Sequence, residues 1–208
     1  SNNNTNPSGD EDLTSMIPAS SSSPSETYRC VLGPLRMEFI ETFVFHTFVT
    51  QPCALQRVSA RSLYQELLEY KLNLPIEVSS SIFVRVLEAR FDLVRAVITG
   101  PDQTPYANGC FVFDIHLNAY PAGPPKVKFL TVGGGISSGG RPHPKVRFNP
   151  NLYACGKVCL SLLGTWQGPS WIPHQSTLLQ VLVSIQGLIL VPEPYYNEPG
   201  YGQPNKQK

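Results

Sequence analysis

One short stretch concentrates the residue types that can do chemistry: Asn149-Pro150-Asn151-Leu152-Tyr153-Ala154-Cys155-Gly156-Lys157-Val158-Cys159. Cys159 follows Gly156 and Lys157, small and polar neighbours among which a thiol can be partly exposed and nucleophilic. The competing fate of a free cysteine is burial as a small apolar side chain. Cys155 stands four residues earlier, and such a pair invites a zinc or redox reading. A zinc site needs four ligands, and no Cys-x-x-Cys or paired histidine completes one, so no metal is expected. A cysteine hydrolase would require a histidine base with an orienting Asp or Asn. His46, His116, His143 and His174 sit in no matching motif.

The elements that must position this stretch are legible around it. Leu55, Val58, Leu63, Tyr64, Leu67 and Leu68 recur at helical spacing, which predicts an amphipathic helix over 54–70, ended by Asn73 and Pro75. Runs of β-branched and aromatic residues follow at 82–86, 93–99, 111–117 and 127–131. Each is bounded by Gly, Pro or Asn, the punctuation of an antiparallel meander. Residues 133–140 form a glycine- and serine-rich loop. Residues 177–190 are apolar nearly all round, which predicts a buried central helix. Helix, four-stranded antiparallel meander, long irregular stretch and buried helix make an α+β domain.

Upstream, residues 1–27 hold almost nothing to bury and are expected to be a disordered tail or an expression remnant. Phe43, Phe45 with His46, and Phe48 predict an accessory arm or strand within 28–53, which leaves 54–208 as the core domain. The 208 residues carry a net charge of +1, with Lys and Arg numbering 16 against 15 Asp and Glu. That balance argues against nucleic acid as a partner, because phosphate binding needs clustered cations. The longest apolar run, 178–191, is broken by Gln180, Ser184 and Gln186 and falls short of the ~20 residues of a membrane span. Five irregularly spaced cysteines with no secretory signal fit reduced thiols in the cytosol or nucleus.

The stretch also resembles the catalytic core of ubiquitin-conjugating enzymes, in which the catalytic cysteine follows the Asn of a His-Pro-Asn turn by eight residues. Asn151 to Cys159 has that spacing. Gly100-Pro101 with Tyr106, Gly109, Phe111 and Phe113 is similar to the family's turn and third strand. Tyr120-Pro121 with Pro124-Pro125-Lys126-Val127 and Phe129 is similar to the entry of its fourth strand. Trp171, Pro173, Thr177, Val181 and Leu182 resemble the following loop and central helix. Asn149 stands where the family usually has His, and His143-Pro144 nearby is a decoy in the glycine-rich insertion. The longer loop at 164–170, Ala122 and His174 at positions that usually contact a RING-type ligase, and an end at Lys208 before the two usual C-terminal helices are departures. They look most like the large hybrid class of conjugating enzymes and ligases, of Apollon/BRUCE type.

The resemblance implies the following chemistry. Ubiquitin would be accepted on Cys159 as a thioester from the activating enzyme and passed to a substrate lysine. Asn151 would donate to the tetrahedral oxyanion, although an Asn in a turn also braces its own loop. Tyr153 matches a lysine-platform tyrosine of the SUMO-conjugating relative, and Glu198 matches an acidic gate position. ATP is spent by the activating enzyme, so no cofactor is expected. The implied partners are ubiquitin, the activating enzyme, a substrate protein and a ligase or in-chain ligase region. A conjugating enzyme for another modifier and a non-catalytic ubiquitin-binding relative are the alternatives, the second opposed by the presence of Cys159.

Overall fold

A computed structural model of the chain describes residues 23–131 and 148–197. The first helix, α1 (Pro24–Leu32), is set by local signals. Ser23 caps it and Glu26 reaches back to close a capping box, with Pro24 in the first turn. It begins four residues inside the stretch expected to be disordered. No residue of α1 is buried, and it is tied down by polar contacts instead: Arg29 to Glu77 at 2.6 Å and Tyr28 Oη to Ser81 Oγ at 3.0 Å.

Strand β1 (Met37–Ile40) follows and lies parallel to a later strand, Met37 opposite Val84. The accessory strand is therefore at 37–40 and not at the aromatic run 43–48, which is irregular. Helix α2 (Arg57–Asn73) buries Leu63, Leu67 and Tyr70. Val58, expected on the core side, is 82% exposed because it lies on the helix face of Arg61, Ser62 and Gln65, away from Leu63 and Leu67.

Strands β2 (Ile76–Glu77), β3 (Ser80–Leu87), β4 (Arg90–Thr99), β5 (Cys110–His116) and β6 (Lys126–Phe129) complete the sheet, in the order β1-β3-β4-β5-β6 with β2 on β3. The antiparallel meander is β3 to β6, and β1 makes the whole sheet mixed. One face carries Ile82, Val84, Ala96, Ile98, Phe113 and Phe129, all buried in one cluster with Leu63 and Leu67 of α2. Helix α3 (Leu178–Ser184) joins that cluster through Leu178, Val181 and Leu182. Thr177 and Gln180 form its capping box, and it continues as one wide turn over Ile185–Ile189. The helix is not buried all round: Val183 and Leu188 are 44% and 60% exposed. No helix among the described residues is long and apolar enough to cross a membrane.

The opposite face is covered by residues 43–49. His46 Nε2 meets Val94 O at 3.1 Å, Thr47 N–H donates to Asp114 at 2.7 Å, and Arg95 pairs with Asp114 at 2.7 Å. Arg90 and His116 both hold Asp92. Residues 43–49 are thus fastened to the sheet through Val94, Arg95 and Asp114 and not by strand pairing. The glycine-rich loop, His143-Pro144 and everything from Glu198 onward, including the expected absence of C-terminal helices, lie outside the described residues.

Candidate active site

The site is built from a turn and a hairpin. At the turn, Asn149 is nearly fully buried and its amide is used at both ends. Oδ1 accepts from Asn151 N–H and Leu152 N–H, both at 2.8 Å. Nδ2 donates to Tyr106 Oη and to Ile189 O, both at 3.0 Å. The side chain therefore folds the turn and fastens it to the wide turn after α3. Burial raises the pKa of Tyr106, against a smaller opposite effect of Asn149, so its phenol stays protonated and donates to Phe148 O.

The hairpin runs from Leu152, bridged to Val158, through a tight turn closed by Gly156 N–H to Tyr153 O at 2.8 Å. Gly156 takes φ +84, and a Cβ there would lie 2.6 Å from Phe129 O. Only glycine fits both demands. Phe129 N–H donates to Gly156 O at 2.8 Å, which docks the hairpin on β6.

Asn151 and Cys159, associated by the resemblance, are brought together. Cys159 N–H donates to Asn151 O at 2.9 Å, and Asn151 Nδ2 donates back to Cys159 O at 3.0 Å. Asn151 Oδ1 is buried and has no hydrogen-bond partner. In this state the amide braces the cysteine strand, and its second N–H is not used by that bond. Tyr153 is half-buried on the same hairpin, with Lys157 Nζ 5.7 Å from the centre of its ring. Glu198 lies outside the described residues.

Cys159 is not partly exposed as expected. It is 2% exposed, whereas Cys155 at the hairpin tip is open. The small and polar neighbours that suggested exposure lie in the turn, and the chain has re-entered the core by Val158. The loop that follows folds back onto the residues on either side of Cys159: Thr165 Oγ1 accepts from Leu160 N–H at 3.0 Å and donates to Val158 O at 2.9 Å. Thr165 was not singled out by the sequence, although Gly164, in the left-handed region at φ 67, marks the reversal.

Two further residues organise the site from a distance. Glu66 of α2 accepts from Tyr70 Oη and Tyr120 Oη and from Leu178 N–H at the start of α3. Burial, with the Glu66 charge beside them, raises the pKa of both phenols, so they remain donors. Trp171 is buried and donates Nε1–H to Pro121 O at 3.0 Å, as expected of a packing anchor. His174 N–H meets the same carbonyl at 3.1 Å, so Ala122 and His174, both exposed, lie on adjoining loops. Among the described residues no group of three or more His, Cys, Asp or Glu could hold a metal ion.

With this geometry in view, comparison with known proteins decides the family. The family model for ubiquitin-conjugating enzymes matches residues 63–201. The chain belongs to the ubiquitin-conjugating enzyme family. It is 53% identical over 146 residues to the human dual E2 ubiquitin-conjugating enzyme/E3 ubiquitin-protein ligase BIRC6, covering 68% of this chain and 3% of that protein. To the putative ubiquitin-conjugating enzyme E2 38 of Arabidopsis thaliana it is 48% identical over 174 residues, covering 80% of this chain and 48% of that protein. A solved ubiquitin-conjugating domain from Toxoplasma gondii overlays with a TM-score of 0.48 at 26% identity, over 68% of this chain and 80% of that one. The resemblance to the hybrid class of Apollon/BRUCE type is thus matched by a relative of that type. The chain spans less than half the length of both curated relatives.

Proposed function

We propose that Cys159 accepts ubiquitin as a thioester and that the chain transfers it to a substrate lysine. The observation that carries this is the reciprocal pair of hydrogen bonds between Asn151 and Cys159 in a chain of this family. In charging, the Cys159 thiolate attacks the carbonyl held as a thioester on the activating enzyme, whose own thiolate leaves. In transfer, a neutral lysine amine attacks the new thioester, the amine proton is lost, and collapse of the oxyanion expels the Cys159 thiolate. Both steps need the sulfur of Cys159, a residue only 2% exposed, to become open to its reaction partner.

Asn151 would swing from Cys159 O, or use its second N–H, to donate to the oxyanion. Tyr153 would present an aromatic and phenolic platform to the incoming lysine, and Glu198 would orient it or take its proton. No cofactor is required beyond the ATP used by the activating enzyme, and the reading places the chain in the cytosol or nucleus. Charging reactions with activating enzyme, ATP and ubiquitin test it through a thiol-sensitive adduct on Cys159.

A further inference from the structure

Residues 43–49, which cover the outer face of the sheet, are joined to it through two buried histidines. His46 uses both ring nitrogens. Nε2 faces Val94 O at 3.1 Å, and a carbonyl can only accept, so this nitrogen carries the ring proton. Nδ1 accepts from Phe48 N–H at 3.3 Å. The ring is therefore neutral, and a second proton would set two N–H groups against each other. His116 of β5 lies beneath the segment, stacked on Phe48 with ring centres 5.6 Å apart. Its Nε2 donates to the Asp92 carboxylate at 3.0 Å, while Nδ1 is buried and has no hydrogen-bond partner. A second proton on this ring would be buried without an acceptor. The charges around both rings already balance. His46 faces Asp114 of β5, 3.5 Å from Nε2, with Arg95 and Asp92 of β4. His116 faces Asp92, with Arg90 of β4 and Lys126 of β6. Asp114 pairs with Arg95 and Asp92 with Arg90, and Cys53 adds a hydrogen bond to Asp92. Two further protons would bury positive charge in excess.

We infer that residues 43–49 form an acid-released strap, which leaves the sheet when His46 and His116 take up protons while the rest of the fold holds. In the released strap both rings meet water and titrate near the ordinary ~6.5. In the closed strap burial holds both below that value, against the pull of the neighbouring carboxylates. Release is therefore favoured as pH falls through ~6.5, and it takes up as many as two protons. The opening is local because the segment belongs to no strand of the sheet and buries little apolar surface. Val44 and Phe45 are exposed, and Phe43 and Phe48 are half-buried. Its main-chain fastenings, Arg95 to Phe45 O and Arg90 to Val49 O, are exposed to solvent. The β4–β5 ladder beneath is independent of it. Phe48 also lines the groove beside the Cys159 hairpin, together with Val158 and Leu163, so release removes one wall of that groove.

Amide hydrogen exchange of the full chain, followed by NMR from pH 7.5 to pH 5 and divided by the intrinsic rate at each pH, tests the strap. Thr47 N–H, bonded to Asp114 at 2.7 Å, and Phe48 N–H report on the segment. The paired amides of β4 and β5 report on the sheet. Protection at Thr47 and Phe48 should fall below pH ~6.5 by about tenfold per pH unit for one histidine and about a hundredfold for both. At every pH it should lie well below the protection of β4 and β5, which marks a separate opening. His116→Phe keeps a ring under Phe48 and cannot titrate, so it should cut the fall to about tenfold per unit. A single protection factor shared by Thr47, Phe48 and the sheet across the range would overturn the inference, because the segment would then open only with the whole fold. Protection at Thr47 and Phe48 that is independent of pH would overturn it equally. If His116→Phe leaves the segment open at pH 7.5, imidazole NMR titration of the parent chain decides. Both rings should titrate below ~6.5, and a ring titrating at or above that value would overturn the strap.

Discussion

Replacing Asn149 by alanine removes every bond of its amide at once, and the cost can be assembled group by group. Leu152 N–H keeps a bond to Asn149 O at 3.2 Å, and Tyr106 Oη keeps Phe148 O at 3.3 Å. Asn151 N–H and Ile189 O lose the partners that Asn149 supplies in this buried turn. An orphaned buried polar group costs about 1–3 kcal/mol. Two of them, less what an entering water returns, give about 2–4 kcal/mol. Urea denaturation should show this as a lower midpoint with an unchanged slope. Asn149→Asp separates the two ends of the amide. It keeps an acceptor for Asn151 and Leu152 but turns a carboxylate oxygen toward Ile189 O, so it should be at least as destabilised as the alanine variant near neutral pH. Both variants should charge with ubiquitin more slowly, because the turn that aligns Asn151 and Cys159 loosens. A loss below about 1 kcal/mol for Asn149→Ala, or an Asp variant as stable as the parent, would refute the four-bond brace.

Other expectations follow from single features. Asn151→Ala should slow discharge to lysine by up to ~4 kcal/mol if its amide meets the oxyanion; equal losses in charging and discharge with a lowered melting temperature would reduce it to a brace. Gly156→Ala forces a Cβ against Phe129 O at positive φ and should cost more than ~1 kcal/mol, read as a shift in the urea midpoint. Burial lowers the pKa of His46 and of His116 despite the carboxylates beside them, so the unfolded chain binds more protons below ~6.5 and stability falls with pH by up to ~1.4 kcal/mol per unit for each histidine. Asp92 adds to the loss in stronger acid: burial raises its pKa, the Arg90 bonds outweigh that, and the net lowering makes its stabilisation vanish as it protonates. Urea midpoints that stay flat from pH 7.5 to pH 5 would contradict both. Iodoacetamide should label Cys155 well before Cys159, and mass spectrometry showing the reverse order would contradict the enclosure of Cys159.

The meander was legible because β3, β4 and β5 are rich in β-branched and aromatic residues, with Gly100-Pro101 after β4 and Asn118 after β5, although the Glu88-Ala89 turn between β3 and β4 lacks such punctuation. Strand β1 was not, since four residues, Met37 to Ile40, carry no alternation and depend on a parallel partner 47 positions away, Met37 opposite Val84. Helix α1 was readable in principle from Ser23, Pro24 and Glu26, a capping box with proline inside it, but its Ser-rich surroundings hid it and it has no buried face. That Asn151 and Cys159 belong to one site was implied by the family resemblance, yet the burial of the sulfur was not legible. Burial of Cys159 is set by tertiary packing, and a sequence window around the cysteine carries no signal of it. Glu66 was invisible for the same reason. Its partners Tyr120 and Leu178 are 54 and 112 residues away, and a half-buried helix glutamate has no local signature.

The central claim is that Cys159 is the sulfur that carries ubiquitin. The chain and its Cys155→Ser and Cys159→Ser variants should be incubated with activating enzyme, ATP and ubiquitin, then resolved without reductant. The account predicts a thiol-sensitive adduct on the parent and on Cys155→Ser, and either none or a thiol-resistant ester on Cys159→Ser. A thiol-sensitive adduct that survives in Cys159→Ser and disappears in Cys155→Ser, or no adduct on the parent at all, would contradict it.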